Sequence, residues 1–253
     1  MPLTILTTLG GSLLLFASWY LISARINRAE VPPSRQIIFL RGFYFYIAVF
    51  FLLMFLPHLL LNFDASKFPL YMSLGYTIGH IFYYVSLLYL SRALFSLVPQ
   101  LAKREKIATM LSVIIGSIIT VLTTVTMVFG KRPAFDYAHH VTLFNANPVV
   151  GVSIAVFSFI IVAPTAFLMI LNGIHNPSAR VRSFLLGGGL FVLLTGGPIH
   201  DNARTGMVYA AADILTIVGL LIVTSGLLYR FDERLVPGTQ PLQKSAAQPL
   251  PLH

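Results

Sequence analysis

The chain has 253 residues, of which 57% are hydrophobic and only 10% are charged. Soluble domains carry about 25% charged residues, so this chain lacks the polar side chains that cover a soluble domain and is predicted to lie in a membrane. Its net charge of +9 predicts no nucleic-acid partner, because membrane proteins concentrate positive charge in their loops, and the absence of cysteine excludes disulfides, thiolate metal sites and cysteine nucleophiles.

Seven stretches are long and apolar enough to form spanning helices, which need about 20 residues each. In chain order they are Pro2–Ile22, Ile37–Leu61, Pro69–Leu97, Ile107–Phe129, Pro148–Leu171, Val181–Pro198 and Met207–Tyr229. Short connections favour a compact bundle in which sequential helices are neighbours. We therefore predict an all-α fold, a seven-transmembrane-helix bundle over residues 1–234, followed by a proline-rich, disordered cytoplasmic tail over 235–253.

The distribution of lysine and arginine predicts the orientation of the bundle. With the N-terminus outside, thirteen basic residues fall on the inner side and four on the outer side. Cytoplasmic loops carry the excess of lysine and arginine in multi-pass proteins, and this excess would lie beside anionic lipid head groups. We expect a multi-pass protein of the cell membrane, in contact with the lipid bilayer, with its N-terminus outside and its C-terminus in the cytoplasm.

Near the outer end of span two, His58 follows Pro57, and His200 and Asp201 follow span six in the same outer layer. Three such ligands with an open position for water are typical of a metal-dependent hydrolase. We therefore consider His58, His200 and Asp201 as candidate metal ligands, joined by either His139 or Asp213, although the sequence contains no H-E-x-x-H motif. A haem held by two histidines is disfavoured, since His58 and His80 lie about 4–5 Å and about 16 Å deep.

Span three carries a polar stripe at helical spacing, formed by Ser73, Tyr76, His80, Tyr83 and Tyr84. His80 lies 11 residues into the span, which is about 16 Å at a rise of 1.5 Å per residue. Ionisable groups at this depth are costly and mark functional sites. We predict a ligand-binding role for Tyr76, His80 and Tyr84; the alternative is a buried structural histidine hydrogen-bonded to a tyrosine.

Span seven carries a carboxylate, Asp213, on the same face as Tyr209. It lies six residues into the span, about 9 Å below the outer surface. A carboxylate at this depth needs a partner, and the candidates are His80, His200 and Arg204. We predict that Asp213 and Tyr209 bind a ligand; the alternative is a structural hydrogen bond or ion pair between helices.

The segment ADILTIVG around Asp213 resembles the seventh helix of microbial rhodopsins, in which an aspartate is followed four residues later by the retinal lysine. In this chain the corresponding residue is Ile217, and every lysine lies in a predicted loop or in the tail. The only tryptophan, Trp19, cannot build a tryptophan-lined retinal pocket. These differences exclude a covalently bound retinal.

Together these features predict an outward-facing polar pocket, built by spans two, three, six and seven, that binds a small ligand or ion. Such a pocket fits a receptor or sensor, which would need a separate cytoplasmic or membrane partner protein, and it also fits a transporter. The alternative is a metal-dependent membrane hydrolase that uses the outer histidines, with a metal ion as cofactor. Because no complete catalytic motif is present, the sequence leaves open whether the protein is an enzyme.

Overall fold

A computed structural model of the chain describes residues 3–28, 32–33, 35–97, 102–130 and 132–229. The predicted tail over 235–253 lies outside the described residues. Within these residues the seven long helices are α1 (Leu3–Arg28), α2 (Arg35–Phe55, continued as a 3₁₀ helix over Leu56–Asn62), α3 (Phe68–Leu97), α4 (Glu105–Phe129), α5 (Pro148–His175), α6 (Arg180–Asn202) and α7 (Gly206–Leu228). Short 3₁₀ helices over Ala65–Lys67 and Pro177–Ala179 precede α3 and α6.

Each of these seven helices is long and apolar enough to cross a membrane. This confirms the predicted all-α bundle of seven long apolar helices, and it supports a multi-pass membrane protein. Consecutive helices pack on each other, and α6 packs extensively on both α5 and α7. The side of the membrane that each end of the bundle faces stays a prediction.

The helix α6 extends beyond the predicted end of span six at Pro198 and continues through His200 and Asp201 to Asn202. Proline normally pushes the preceding residue out of the helical region, because its ring clashes with that residue's Cβ. The preceding residue here is Gly197, which has no Cβ. His200 and Asp201 therefore lie in the last turn of α6, whereas the sequence analysis predicted that they follow the end of the span.

Glycines allow the backbones of α6 and α7 to contact each other directly. A Cβ atom on Gly189 of α6 would lie 2.7 Å from the backbone nitrogen of Val223. A Cβ atom on Gly219 of α7 would lie 2.9 Å from the backbone nitrogen of Leu193. Small residues that bring two backbones together are typical of helix contacts in membranes, so this contact depends on glycine from both helices.

The connection between α4 and α5 forms a short antiparallel hairpin of β1 (Ala134–Asp136) and β2 (Val141–Leu143). The sequence did not predict these strands. Leu3, at the start of α1, donates its backbone N–H to the carbonyl of His140 in the turn at 3.0 Å. The hairpin thus lies at the end of the bundle that also holds the start of α1, and we call this end the hairpin side.

The hairpin turn is organised by Asp136. Its carboxylate accepts hydrogen bonds from the backbone N–H of Ala138 at 2.9 Å and from Nδ1 of His139 at 2.8 Å. The hydrogen bond from His139 lowers the pKa of Asp136 below its ordinary value. The ionised carboxylate therefore favours the folded turn.

The lowered pKa of Asp136 predicts a pH dependence of the hairpin. A carboxylate whose pKa is lower in the folded state stabilises it fully above its unfolded-state pKa, about 3.9. This contribution is lost as the pH falls through the lower folded-state pKa. The protection factors of the amides over residues 134–143, corrected for the intrinsic exchange rate at each pH, should therefore fall on acidification below about pH 4. Asp136→Asn keeps one of the two acceptor oxygens but does not titrate, so its protection factors should lack this step.

Candidate functional site

A central cavity of about 140 Å³ lies among the helices. Its lining comes from α1, α2, α3, α5, α6 and α7, and from Phe144 directly after β2. The polar lining residues are Thr4, Thr7, Thr8, Tyr76, His80, Tyr83, His200, Asp201, Asp213 and Thr216. Much of the apolar lining lies further from the hairpin side and includes Leu15, Phe43, Ile47, Leu87, Leu90, Leu190, Leu220 and Val223. The cavity is thus amphipathic, with ionisable groups and an apolar wall.

Asp213 lines this cavity and is almost fully buried. Its Oδ2 accepts a hydrogen bond from the hydroxyl of Thr4 at 2.9 Å. Its Oδ1 lies 3.6 Å from Nε2 of His200. Of the three partners considered from the sequence, the structure thus brings His200 nearest to this carboxylate, while Arg204 donates to the backbone carbonyl of Ala203.

Asp201 lines the same cavity from the last turn of α6. Its Oδ1 accepts a hydrogen bond from the hydroxyl of Tyr76 at 2.9 Å. No described residue donates a hydrogen bond to its Oδ2. Asp201 is largely buried, with 7% of its surface exposed. The cavity therefore holds a second carboxylate, whose Oδ2 can accept a hydrogen bond from a ligand.

His80 lies below Tyr76 on α3, with their ring centroids 4.1 Å apart. Its Nδ1 lies 2.8 Å from the backbone carbonyl of Tyr76. Because a carbonyl oxygen only accepts, Nδ1 carries the proton, and Nε2 of the neutral ring is an acceptor. Among the described residues none hydrogen-bonds to Nε2, so this nitrogen is available to a group in the cavity.

Phe144 closes the polar part of the cavity with its ring. It is fully buried, and its centroid lies 5.1 Å from that of Tyr76 and 4.9 Å from that of His200. The hydroxyl of Tyr209 accepts the backbone N–H groups of Phe144 at 3.1 Å and of Asn145 at 3.3 Å. Phe144 therefore connects the cavity to the hairpin.

Two of the predicted ligand-binding tyrosines do not line the cavity. Tyr209 holds the chain after β2, as described above. Tyr84 packs against α4, where a Cβ on Gly116 would lie 3.3 Å from its own Cβ. The cavity is lined instead by Tyr83, one residue earlier. Tyr83 and Tyr84 of the predicted polar stripe thus contact different surroundings, the cavity and α4, because residues 83 and 84 lie about 100° apart around a helix.

His58 also lies outside the cavity lining. Its Nδ1 donates to the carbonyl of Phe55 at 3.2 Å, and its Nε2 accepts from the hydroxyl of Thr142 at 2.7 Å. The backbone N–H of Thr142 in turn donates to the hydroxyl of Thr4 at 3.0 Å. His58 is therefore buried as a contact between the end of α2 and the hairpin.

The structure does not group His58 with His200 and Asp201 as the predicted metal site requires. Both ring nitrogens of His58 already have partners within the protein. In the parts of the chain that the structure describes, no three histidine, aspartate or glutamate side chains lie together as metal ligands. The predicted ligands thus separate into a hairpin contact and two cavity residues.

The sequence analysis missed the contribution of α1. Thr4, Thr7 and Thr8 are buried and line the cavity, and the helix adopts π-helical geometry over Leu6–Gly10. Their spacing of three and four residues places them on one face of a helix, which is the signal that could have identified them. Local π geometry in helices often accompanies functional sites.

Comparisons of the chain with protein-family models, with curated proteins and with solved structures found no match.

Proposed function

We propose that this chain is a multi-pass protein of the cell membrane that binds a small organic ligand in its central cavity, as a receptor or sensor. The observation that carries the proposal is the amphipathic cavity itself. Ligand pockets are mostly apolar, with a few polar groups that orient the ligand. A cavity of about 140 Å³ is similar in size to an engineered apolar cavity of about 150 Å³ that binds benzene.

Unused hydrogen-bonding groups support a ligand in this cavity. The hydrogen bonds of His80 and Asp201 use Nδ1 and Oδ1, so Nε2 of His80 and Oδ2 of Asp201 accept no hydrogen bond from the described residues. Both side chains line the cavity. A ligand with hydrogen-bond donors would satisfy these two acceptors.

The contacts of the hairpin favour a receptor over a transporter. Thr4 and Phe144 line the cavity, and both also hold the hairpin through Thr142 and Tyr209. A ligand that contacts either residue would therefore alter the hairpin side as well as the cavity. A receptor of this kind would act through a separate cytoplasmic or membrane partner protein.

The cavity can be filled from Gly197 to test this function. Gly197 lines the cavity, and a Cβ atom placed there meets no atom within 4 Å. Benzyl alcohol at ten times its dissociation constant should stabilise the unmodified protein by about 1.4 kcal/mol. Gly197→Leu should abolish this stabilisation, because the new side chain occupies the ligand's space. This stabilisation is measured by thermal unfolding of the purified full chain at increasing benzyl alcohol concentration.

Two variants control for effects outside the cavity. Gly197→Ala also places a Cβ before Pro198 but leaves most of the cavity open, so it should keep the stabilisation. Gly188→Leu adds the same side chain on the same helix, outside the cavity lining, where a Cβ also meets no atom within 4 Å. Persistent stabilisation in Gly197→Leu, or its loss in Gly188→Leu, would contradict binding in this cavity.

A further inference from the structure

The permanent charges around the central cavity are carboxylates, and its two histidines, His80 and His200, are positively charged only when protonated. Two carboxylates, Asp201 and Asp213, line it, and both residues are more than nine-tenths buried. Within the described part of the chain, neither lysine nor arginine belongs to the lining. Ionised carboxylates that are removed from water are costly unless they are paired, so the cavity requires positive charge or protons.

The two carboxylates differ in how far the protein satisfies them. Asp213 accepts a hydrogen bond from Thr4 and lies 3.6 Å from His200. Asp201 accepts only from Tyr76, through one oxygen, when the described donors are considered. Asp201 is therefore the stronger candidate for pairing with a charged group of a ligand, and Asp213, beside His200, is the second carboxyl group of the same cavity.

Aromatic rings surround the same part of the cavity. The rings of Tyr76 and Phe144 lie 5.1 Å apart, and those of Tyr76 and His80 lie 4.1 Å apart. The faces of tyrosine and phenylalanine attract cations. An apolar wall that includes Leu87 and Leu190 completes the lining. Cationic and apolar parts of one molecule would thus both find complementary surface.

We propose that the ligand is a small organic amine. Its ammonium group would bind Oδ2 of Asp201 near the rings of Tyr76 and Phe144, and its hydrocarbon part would lie against the apolar wall. This inference rests on the proposed function, because it identifies the chemical class of the ligand in the same cavity. Anionic ligands are disfavoured, since they would face two carboxylates.

Three probes of similar size and different charge test this inference: benzylamine, benzyl alcohol and benzoate. Binding to the purified full chain at pH 7 is measured by titration calorimetry and thermal unfolding. Charge-assisted hydrogen bonds are stronger than neutral ones, so benzylamine should bind at least about tenfold more tightly than benzyl alcohol. Benzoate should bind most weakly. Loss of binding in Gly197→Leu separates cavity binding from partition into detergent.

Asp201→Asn is the decisive variant, because asparagine keeps an oxygen that accepts from Tyr76 but removes the charge. It should reduce benzylamine affinity by about tenfold and leave benzyl alcohol affinity nearly unchanged. The control Asp64→Asn makes the same substitution at an aspartate that pairs with Lys67 at 3.0 Å, outside the cavity lining, so it should keep the preference for benzylamine over benzyl alcohol.

The outcomes separate the two proposals. Equal or tighter binding of benzyl alcohol, abolished by Gly197→Leu, would overturn the amine inference and leave the proposed ligand cavity intact. A preference for benzylamine that persists in Asp201→Asn would also overturn the amine site. Failure of all three probes to bind the unmodified protein would overturn both the proposed function and the amine inference.

Discussion

Replacing Gly189 with leucine is expected to prevent the bundle from folding stably. A Cβ at this position would lie 2.7 Å from the backbone nitrogen of Val223 and 2.6 Å from one of its methyl groups. A side chain can rotate away from a clash, but the backbone of α7 can move only if the two helices separate. Overpacking typically costs about 1–3 kcal/mol, and we expect at least about 3 kcal/mol here, because a backbone clash lies at the upper end of that range.

The fraction of monodisperse protein after extraction, together with the midpoint of unfolding in denaturing detergent, measures this effect. Gly188→Leu is the matched control, since it adds the same side chain one residue earlier, where a Cβ meets no atom within 4 Å. In a Gly189→Leu background, Val223→Ala should not restore stability, because it removes the methyl contacts and leaves the backbone contact. Restoration would show that side-chain crowding alone is responsible.

The seven helices could be predicted because a long apolar run can be recognised from the sequence alone, without knowledge of the contacts in the fold. The ends of the helices were less predictable, and α6 shows why. The predicted span ends at Pro198, but the helix continues to Asn202 because Gly197 tolerates the proline and because His200 and Asp201 contact other helices. Apolar composition marks the membrane-embedded part of a helix, whereas hydrogen bonding determines where the helix ends.

The hairpin could not be predicted because its partners are distant in sequence. Its two strands have three residues each, too few for an alternating pattern to be distinctive. Thr142 is held by Thr4 and His58, and Phe144 is held by Tyr209. These contacts join four separate parts of the chain, and nothing in the local sequence of 134–143 indicates them.

Part of the site could be predicted, because ionisable residues stand out in an apolar sequence, whereas the neighbours of each residue in space do not. His80 and Asp213 were recognised because ionisable residues are rare in apolar spans, and both line the cavity. Tyr84 was grouped with them by helical spacing, but spacing does not tell which neighbour each residue of a broad polar face meets. Phe144 carries no polar atom on its side chain, so its part in the cavity became visible only from the folded structure.

Phe144→Ala is expected to weaken the bundle and to change the size of ligand that it binds. The side chain is fully buried against the rings of Tyr76, His200 and Tyr209. Truncating a buried phenylalanine to alanine costs about 3–5 kcal/mol, a large part of a typical total stability of about 5–15 kcal/mol. Since Phe144 also lines the cavity, removing its ring should enlarge the cavity.

The enlarged cavity provides a readout that a loss of stability alone would not give. Phe144→Ala should bind naphthylmethylamine more tightly relative to benzylamine than the unmodified protein does, when both are measured by titration calorimetry. Phe135→Ala is the control, because Phe135 lies on β1 against His58 and Phe68, away from the cavity lining. It should lower stability without changing the relative affinity of the two amines. If both variants shift that ratio equally, Phe144 acts through the hairpin as a whole, and its ring does not itself limit the size of the cavity.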